Sequence, residues 1–271
     1  MAFSVNTNAG ALVALQTLNK TNSNLATTQN RISTGLKVAS AKDNAAIYSI
    51  AQSQRAEISG LNAVKDSLSR ATGAIDTALA GAEAVSDLLI ELKEKAVAAA
   101  DTGIDASQRT LLNNEFSELR NQIDTIVANA EFNGINALRG SDDITAIVNQ
   151  DATSSITIAA QDIDVGTLGL SGKSITTSAS AAGVVTLVDS ALDTVNASLA
   201  VLGAGAKRIE SVTTFVGKLS DSIETGIGNL VDADLARESA NLQSLQVKQQ
   251  LGLQALSIAN QQPSSVLSLF G

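Results

Sequence analysis

Apolar residues recur every seven positions along most of this chain, and the recurrences divide it into helices. Leu18, Leu25 and Ile32 form one such series near the start. Leu15 and Leu36 stand on a neighbouring series, with Asn22 and Gln29 filling the two positions between them. The spacing predicts a helix from Asn8 to Ile32, closed near Gly35, a residue that ends helices readily. Ser33–Asn44 is polar and reads as a connecting turn, with Asp43 or Asn44 placed to cap the next helix. The next series is the longest. Leu61, Leu68, Ile75, Ala82, Leu89 and Ala96 keep register, with Val64, Ala71, Ala78, Val85, Leu92 and Ala99 as companions. Chance alternation does not hold register over six heptads. A helix over 44–100 would be about 85 Å long.

DTGID at Asp101–Asp105 breaks the pattern, and Asp105 with Gln108 has the spacing of a capping box. Leu112, Phe116, Leu119, Ile123, Ile126 and Ala130 then mark a second helix, joined so briefly to the first that the two must be antiparallel. Asn133–Gly134 signals a turn. From Ser141 to Gly183 Ile144, Ile147, Ile156, Ile158 and Ile163 sit among Ser, Thr, Asp and Gly. This stretch predicts two to four short strands in hairpins, or a flexible cap, at the far tip of the helices. Helix returns from about Val184, with Val188, Val195, Leu202, Ile209, Val216 and Ile223 at every seventh position and Leu192, Leu199 and Ala206 beside them. Gly226 and Gly228 are expected to interrupt it. A last helix carries Leu235, Leu242 and Leu256 on one series, Gln249 in the gap and Leu245 alongside. The fold class is therefore mainly α: a long coiled-coil-like rod with paired N- and C-terminal helices and a small β-hairpin region in the middle of the chain.

Charge changes this picture at the two ends. Lys20 is the only charged residue in 1–30, and Lys248 the only one in 239–271. A surface helix normally carries a charged outer face. An apolar stripe whose surroundings are amides and hydroxyls suits a helix packed on every side, so the ends are expected to pair and then to be buried by other copies. Composition agrees. Of the 271 residues 44% are hydrophobic but only 2% aromatic, with much alanine, which suits close helix packing. The single proline, Pro263, leaves the upstream helices unbroken. Net charge −9 opposes nucleic acid and anionic membranes as partners. No apolar run reaches the ~18 residues of a membrane span, and no basic segment precedes an apolar one at the N-terminus, as a cleavable secretory signal requires. Cysteine and histidine are absent, which removes disulfides and the commonest general base.

Candidate chemistry is thin. Gly203-Ala204-Gly205-Ala206-Lys207 faintly suggests a phosphate loop but lacks the GxxxxGK[ST] spacing and lies inside a heptad run. Asp142–Asp143 and Asp232 with Asp234 are oxygen donors of the kind hard cations take; solvated loop carboxylates are the plainer reading. No catalytic residue, cofactor or metal site is expected. Asn22, Gln29 and Gln249 interrupt the end stripes; paired amides there fix register between helices, and hydrogen-bonded amides on a wetter face are the equal alternative. Tyr48, the only tyrosine, is expected to pack at the turn between the end and rod domains.

Three strings carry a family resemblance. NRISTGLKVASAKDNAAIYSIA (30–51) resembles the N-terminal signature of bacterial flagellins. AEFNGINALRG (130–140) is similar to the family's turn after the second rod helix. LVDADLARESANLQSLQVKQQLGLQALSIANQQPSSVLSLF (230–270) resembles its C-terminal signature. Their order and spacing match as well, so the resemblance spans all but 141–183. It implies a structural subunit that self-assembles into the helical filament of the bacterial flagellum, used for swimming, with no enzymatic activity. The domains would be 1–43 plus 226–271 (filament tube), 44–140 plus 184–225 (rod) and 141–183 (a short β or loop tip), with no room for large outer domains. The stripe leucines of both ends, with Ile32, would be the assembly surface. Implied partners are many copies of the chain, hook-associated and cap proteins, and a cytoplasmic export chaperone. The location would be the extracellular filament, reached by a flagellar type III exporter that leaves the N-terminus uncleaved. Many flagellins are O-glycosylated in outer regions; Thr153, Ser155, Thr167, Ser171, Thr176 and Thr177 are the candidates here. Some carry a zinc-protease HExxH motif, impossible in a chain without histidine. Flagellins detected by the family's Toll-like innate receptor present a Gln-Arg pair on the first rod helix. Ile90 and Glu91 hold those positions, with Lys95 placed to pair with Glu91, so weak signalling is expected. A hook–filament junction protein shares these end motifs, and a secreted coiled-coil adhesin would share the heptads.

Overall fold

A computed structural model describes residues 7–140 and 142–267. The chain is mainly α. Among the described residues five helices, α1 (Ala9–Thr34), α2 (Ala45–Ala100), α3 (Ala106–Asn129), α4 (Ser178–Val231) and α5 (Leu235–Leu267), accompany one antiparallel hairpin of β1 (Ile144–Ile147) and β2 (Ser155–Ile158). The chain divides into two compact units, one of Met1–Ala56 with Ser222–Gly271 and one of Glu57–Asp221.

In the second unit every residue of both α2 heptad series is buried. Its α2 ends where Arg109 reaches back: Nε donates to the Ala99 carbonyl and Nη2 to that of Asp101, both at 2.8 Å. These carbonyls have no partner within the helix, so the guanidinium satisfies them and adds charge of the favourable sign. Asp105 and Gln108 form the predicted capping box of α3. Lys95 Nζ and Glu115 Oε2, 2.8 Å apart, join α2 to α3, and Lys93 and Asp189, 2.6 Å apart, join α2 to α4. Hence Lys95 does not pair with Glu91.

α4 departs from its predicted pattern in three ways. It begins at Ser178 rather than near Val184, because Thr177 caps it by accepting from Ser180 N at 3.1 Å. Its buried companion series is Val184, Ala191, Ser198 and Gly205, while Leu192, Leu199 and Ala206 lie half-buried beside it. The smaller residues take the closest approach, and Ile158 fills the space above Gly205. Finally, α4 does not stop at Gly226 or Gly228 but runs to Val231. A helical glycine costs only about 1 kcal/mol, and burial of Ile227 and Val231 offsets that. The break falls instead at Asp232–Asp234, where Asp234 Oδ1 accepts from the N–H groups of Ala236 and Arg237, both at 3.1 Å. By composition α4 alone among the described helices is long and apolar enough to cross a membrane, with mean hydropathy 1.4 in its best window. Its heptad stripe is spent inside this protein core.

In the middle of the chain two strands form among the described residues, and the hairpin rests on α2 and α4. Ile147 N donates to Ser67 Oγ of α2 at 3.0 Å, Gln150 sits on Gly60, and Leu138 on Gly81. Ile144, Ile156, Ile158 and Ile163 are buried as a core row, with Ile147 left at the surface. The chain then follows α3, where Ile175 N donates to Asn113 Oδ1 at 2.8 Å and Arg120 Nη1 to the Lys173 carbonyl at 3.0 Å.

Candidate assembly surface

The first unit is built on α1 and α5. Asn8 caps α1 with its Oδ1, which accepts from Ala11 N at 3.0 Å, while its Nδ2 donates to the Ala259 carbonyl at 2.7 Å. Further along, Leu18 lies against Gly252, Gln249 Nε2 donates to Asn22 Oδ1 at 2.8 Å, and Arg31 Nη1 meets Glu238 Oε1 at 3.1 Å. Rising numbers on α1 meet falling numbers on α5, so the helices are antiparallel. Gly35, at φ 71°, closes α1 in the left-handed conformation. Leu36 then bridges to Asp232, and Lys37 N donates to the Val231 carbonyl at 2.6 Å. The linker before α2 is folded on Asp43, whose carboxylate accepts from Ala39 N, Ser40 N and Ser40 Oγ. Those bonds, first the backbone one from Ser40, hold its pKa below 3.8. Asn44 rather than Asp43 caps α2, accepting from Ile47 N at 3.1 Å. Tyr48 is half-buried in the first turn of α2.

The expected stripe residues are brought together, yet most are not covered. Leu18 alone is buried; Leu25, Ile32, Leu36, Leu242, Leu245 and Leu256 are half-buried, and Leu15 and Leu235 are exposed. A further apolar set lies off the stripes: Leu12 and Val13 on α1, and Val247, Leu251, Leu253 and Ile258 on α5, of which Ile258 is 66% exposed. Heptad reading picks out one face per helix and so passes over these. Their signal was the lack of charge around the whole circumference. An apolar groove between the helix ends is lined by Ala11, Leu12, Leu15 and Leu256. Two helices pairing through one face, with apolar residues on the others, leave a surface that water covers poorly. Of the stripe amides, Asn22 and Gln249 pair at the solvent-facing edge of the contact, which fits both readings; Gln29 is exposed.

The ion pair between Arg31 and Glu238 was not singled out in the sequence. Its signal is that the two nearly uncharged stretches end at its two members. Glu238 is 8% exposed, and its Oε2, like Arg31 Nε, is buried without a hydrogen-bond partner.

The remaining candidates are dispersed. Gly203–Lys207 is uninterrupted α-helix, not a loop. No cluster of three metal-ligating side chains occurs among the described residues. Thr153, Ser155, Thr167, Ser171, Thr176 and Thr177 are all exposed in the second unit, as are Ile90 and Glu91 on α2.

Two family models match most of the chain. The bacterial flagellin N-terminal helical region matches residues 5–143, and the bacterial flagellin C-terminal helical region matches residues 185–270. Flagellin FljK of Caulobacter vibrioides is 51% identical over 269 residues, covering 98% of each chain. A flagellin of Brucella melitensis is 40% identical over 283 residues, covering 98% of this chain and 99% of its own. Bacillus cereus flagellin has a similar fold, with TM-score 0.51 at 22% identity over 55% of this chain and 88% of that one.

Proposed function

This chain belongs to the bacterial flagellin family, and from that premise we propose how it assembles and what it meets. It is a structural subunit of the flagellar filament, an extracellular appendage of motile cells. The assembly surface is the α1–α5 pair, with Leu15, Leu18, Leu25, Ile32, Leu36, Leu235, Leu242, Leu245 and Leu256 at its centre. The observation that carries this is the apolar surface left open around that pair. Ordering each end costs on the order of 1–2 kcal/mol per residue in backbone entropy, which one narrow contact does not repay. Burial against several neighbours does. The ends therefore order as subunits join, and the tube is the domain of 1–43 with 226–271.

Export without cleavage, a cytoplasmic chaperone on the C-terminal segment, and contacts with hook-associated and cap proteins complete the reading. The protein has no catalytic role. O-linked sugar, where present, sits on the six exposed Ser and Thr residues of 153–177; intact-mass mapping that places all modification within 1–60 refutes this. The test of the assembly reading is electron microscopy of the purified chain after salt-induced polymerisation. Long uniform tubes are expected, and amorphous aggregate contradicts it.

A further inference from the structure

Two faces of the second unit leave apolar residues in water among charges of opposite sign. On α2, Asp87, Ile90, Glu91, Glu94 and Val97 share one helical face and are all exposed. The neighbouring lysines are committed elsewhere, Lys93 to Asp189 and Lys95 to Glu115, so this face is acidic. On α4, Lys207, Ser211, Thr214, Phe215 and Lys218 line a shallow depression whose one acid is Glu210. Phe215 is 62% exposed. Neither Lys207 nor Lys218 has an ion-pair partner among the described residues. A chain with 2% aromatic residues that leaves a phenylalanine in water between two unpaired cations has the composition of a docking face.

The two faces do not meet within one chain. α2 and α4 are antiparallel, with Ser178 Oγ donating to the Ala100 carbonyl at 2.6 Å and Lys93 opposite Asp189. Phe215 therefore lies on the order of 40 Å along α4 from the point facing Lys93, at about 1.5 Å per residue.

We propose that the acidic face of α2 in one copy receives Phe215, Lys207 and Lys218 of α4 from a second copy. The inference rests on the filament-subunit reading and names the side chains that join neighbouring rods. Because the faces differ and lie far apart, the contact is heterologous, and in a filament, where the rotation between copies does not close a ring, it propagates in a row. Ile90 and Val97 supply apolar cover for the phenyl ring. The carboxylates pair the lysines and set orientation, and like faces repel, which excludes the reversed arrangement.

A zero-length carbodiimide cross-linker applied to assembled wild-type filaments tests this, since it joins only amines and carboxylates already in contact. Filaments grown from mixed isotope-labelled and unlabelled subunits distinguish links between copies from links within one. Lys207 or Lys218 is expected to join Asp87, Glu91 or Glu94 of another copy, with Lys93–Asp189 and Lys95–Glu115 as internal links. Internal links recovered without the inter-copy ones overturn the proposal. Two variants make a second arm, Glu91→Lys/Glu94→Lys and Lys207→Glu/Lys218→Glu, each checked for helical content. Each alone is expected to raise the critical concentration at least tenfold, and an equimolar mixture to polymerise as wild type. A mixture no better than its components overturns the contact. Wild-type protein that forms no filament instead overturns the reading beneath it.

Discussion

Ile158 rests on the backbone of Gly205: a Cβ at residue 205 would lie 2.7 Å from its Cδ1. Phe132 stands in the same relation to Gly73, with Cζ 2.7 Å from the added carbon. The two seats differ in freedom, since Ile158 is 6% exposed and Phe132 38%. Alanine at either position gains about 1 kcal/mol of helix propensity. At residue 73 the ring swings outward and the change is near neutral. At residue 205 the side chain is enclosed, and overpacking outweighs the gain by about 1–2 kcal/mol. Thermal unfolding followed by far-UV circular dichroism should rank Gly205→Ala below Gly73→Ala; the opposite ranking contradicts the packing described.

Replacing Leu25 or Leu245 by Asp places a carboxylate in the open apolar surface of the first unit. Once neighbours cover that surface, an unpaired charge costs several kcal/mol at each contact, about 3 or more. Filaments should fail to form, while the melting of the second unit is unchanged. Filaments of normal length from either variant remove these residues from the assembly surface.

Arg31→Ala leaves the Glu238 carboxylate buried without its cation. Arg31 is itself partly solvated, so the loss is about 2 kcal/mol rather than the ~3–5 of a fully buried pair. Read as critical concentration for polymerisation, that is about a thirtyfold rise. Arg31→Met with Glu238→Leu should recover most of it, because a matched apolar pair carries no desolvation penalty. A double variant as poor as the single one shows that the charges do more than satisfy each other.

Asp43 gives the linker before α2 an acid response. Its pKa is depressed by the Ser40 and Ala39 bonds, so the carboxylate's contribution is present above the ordinary aspartate range and is lost as pH falls through the lower folded value. Amide exchange at Ala39 and Ser40 should speed up over that acid range in the wild type. In Asp43→Asn it should be faster at neutral pH already and nearly independent of acid. An unchanged acid response in the variant assigns the effect to another group.

Ile90 and Glu91 are exposed on α2, and we propose that they stand at the positions where receptor-detected flagellins present Gln and Arg. A guanidinium at an interface centre is worth ~2 kcal/mol or more, and Glu91 reverses its charge. The monomer is expected to signal weakly in a reporter-cell dose response, and Ile90→Gln/Glu91→Arg to signal more strongly. Full wild-type potency contradicts this.

Periodicity made the helices legible. Both α2 series proved buried, and the turn at 101–105 with its capping box stood in the sequence. What periodicity could not convey was competition between local and tertiary terms. Gly226 and Gly228 read as breakers because their local preference is against helix, yet burial of Ile227 and Val231 is larger. The Ser and Thr residues ahead of Val184 read as loop because the same side chains serve loops and caps. The hairpin's position along α2 depends on cavities above Gly60 and Gly205, and those exist only once the helices are packed. At the surface of the first unit, seven-residue spacing marked where α1 meets α5. The apolar residues facing outward follow no series, and nothing among the described residues covers them.

The antiparallel pairing of α1 with α5 also has a meaning in time. Asn22 and Gln249 touch across 227 residues of sequence, so α1 leaves the ribosome long before its partner α5. At about 5–20 residues per second, α1 waits on the order of 10–40 s before α5 exists at all. During that time α1 is without α5. Whatever engages nascent α1 has that interval in which α5 does not compete.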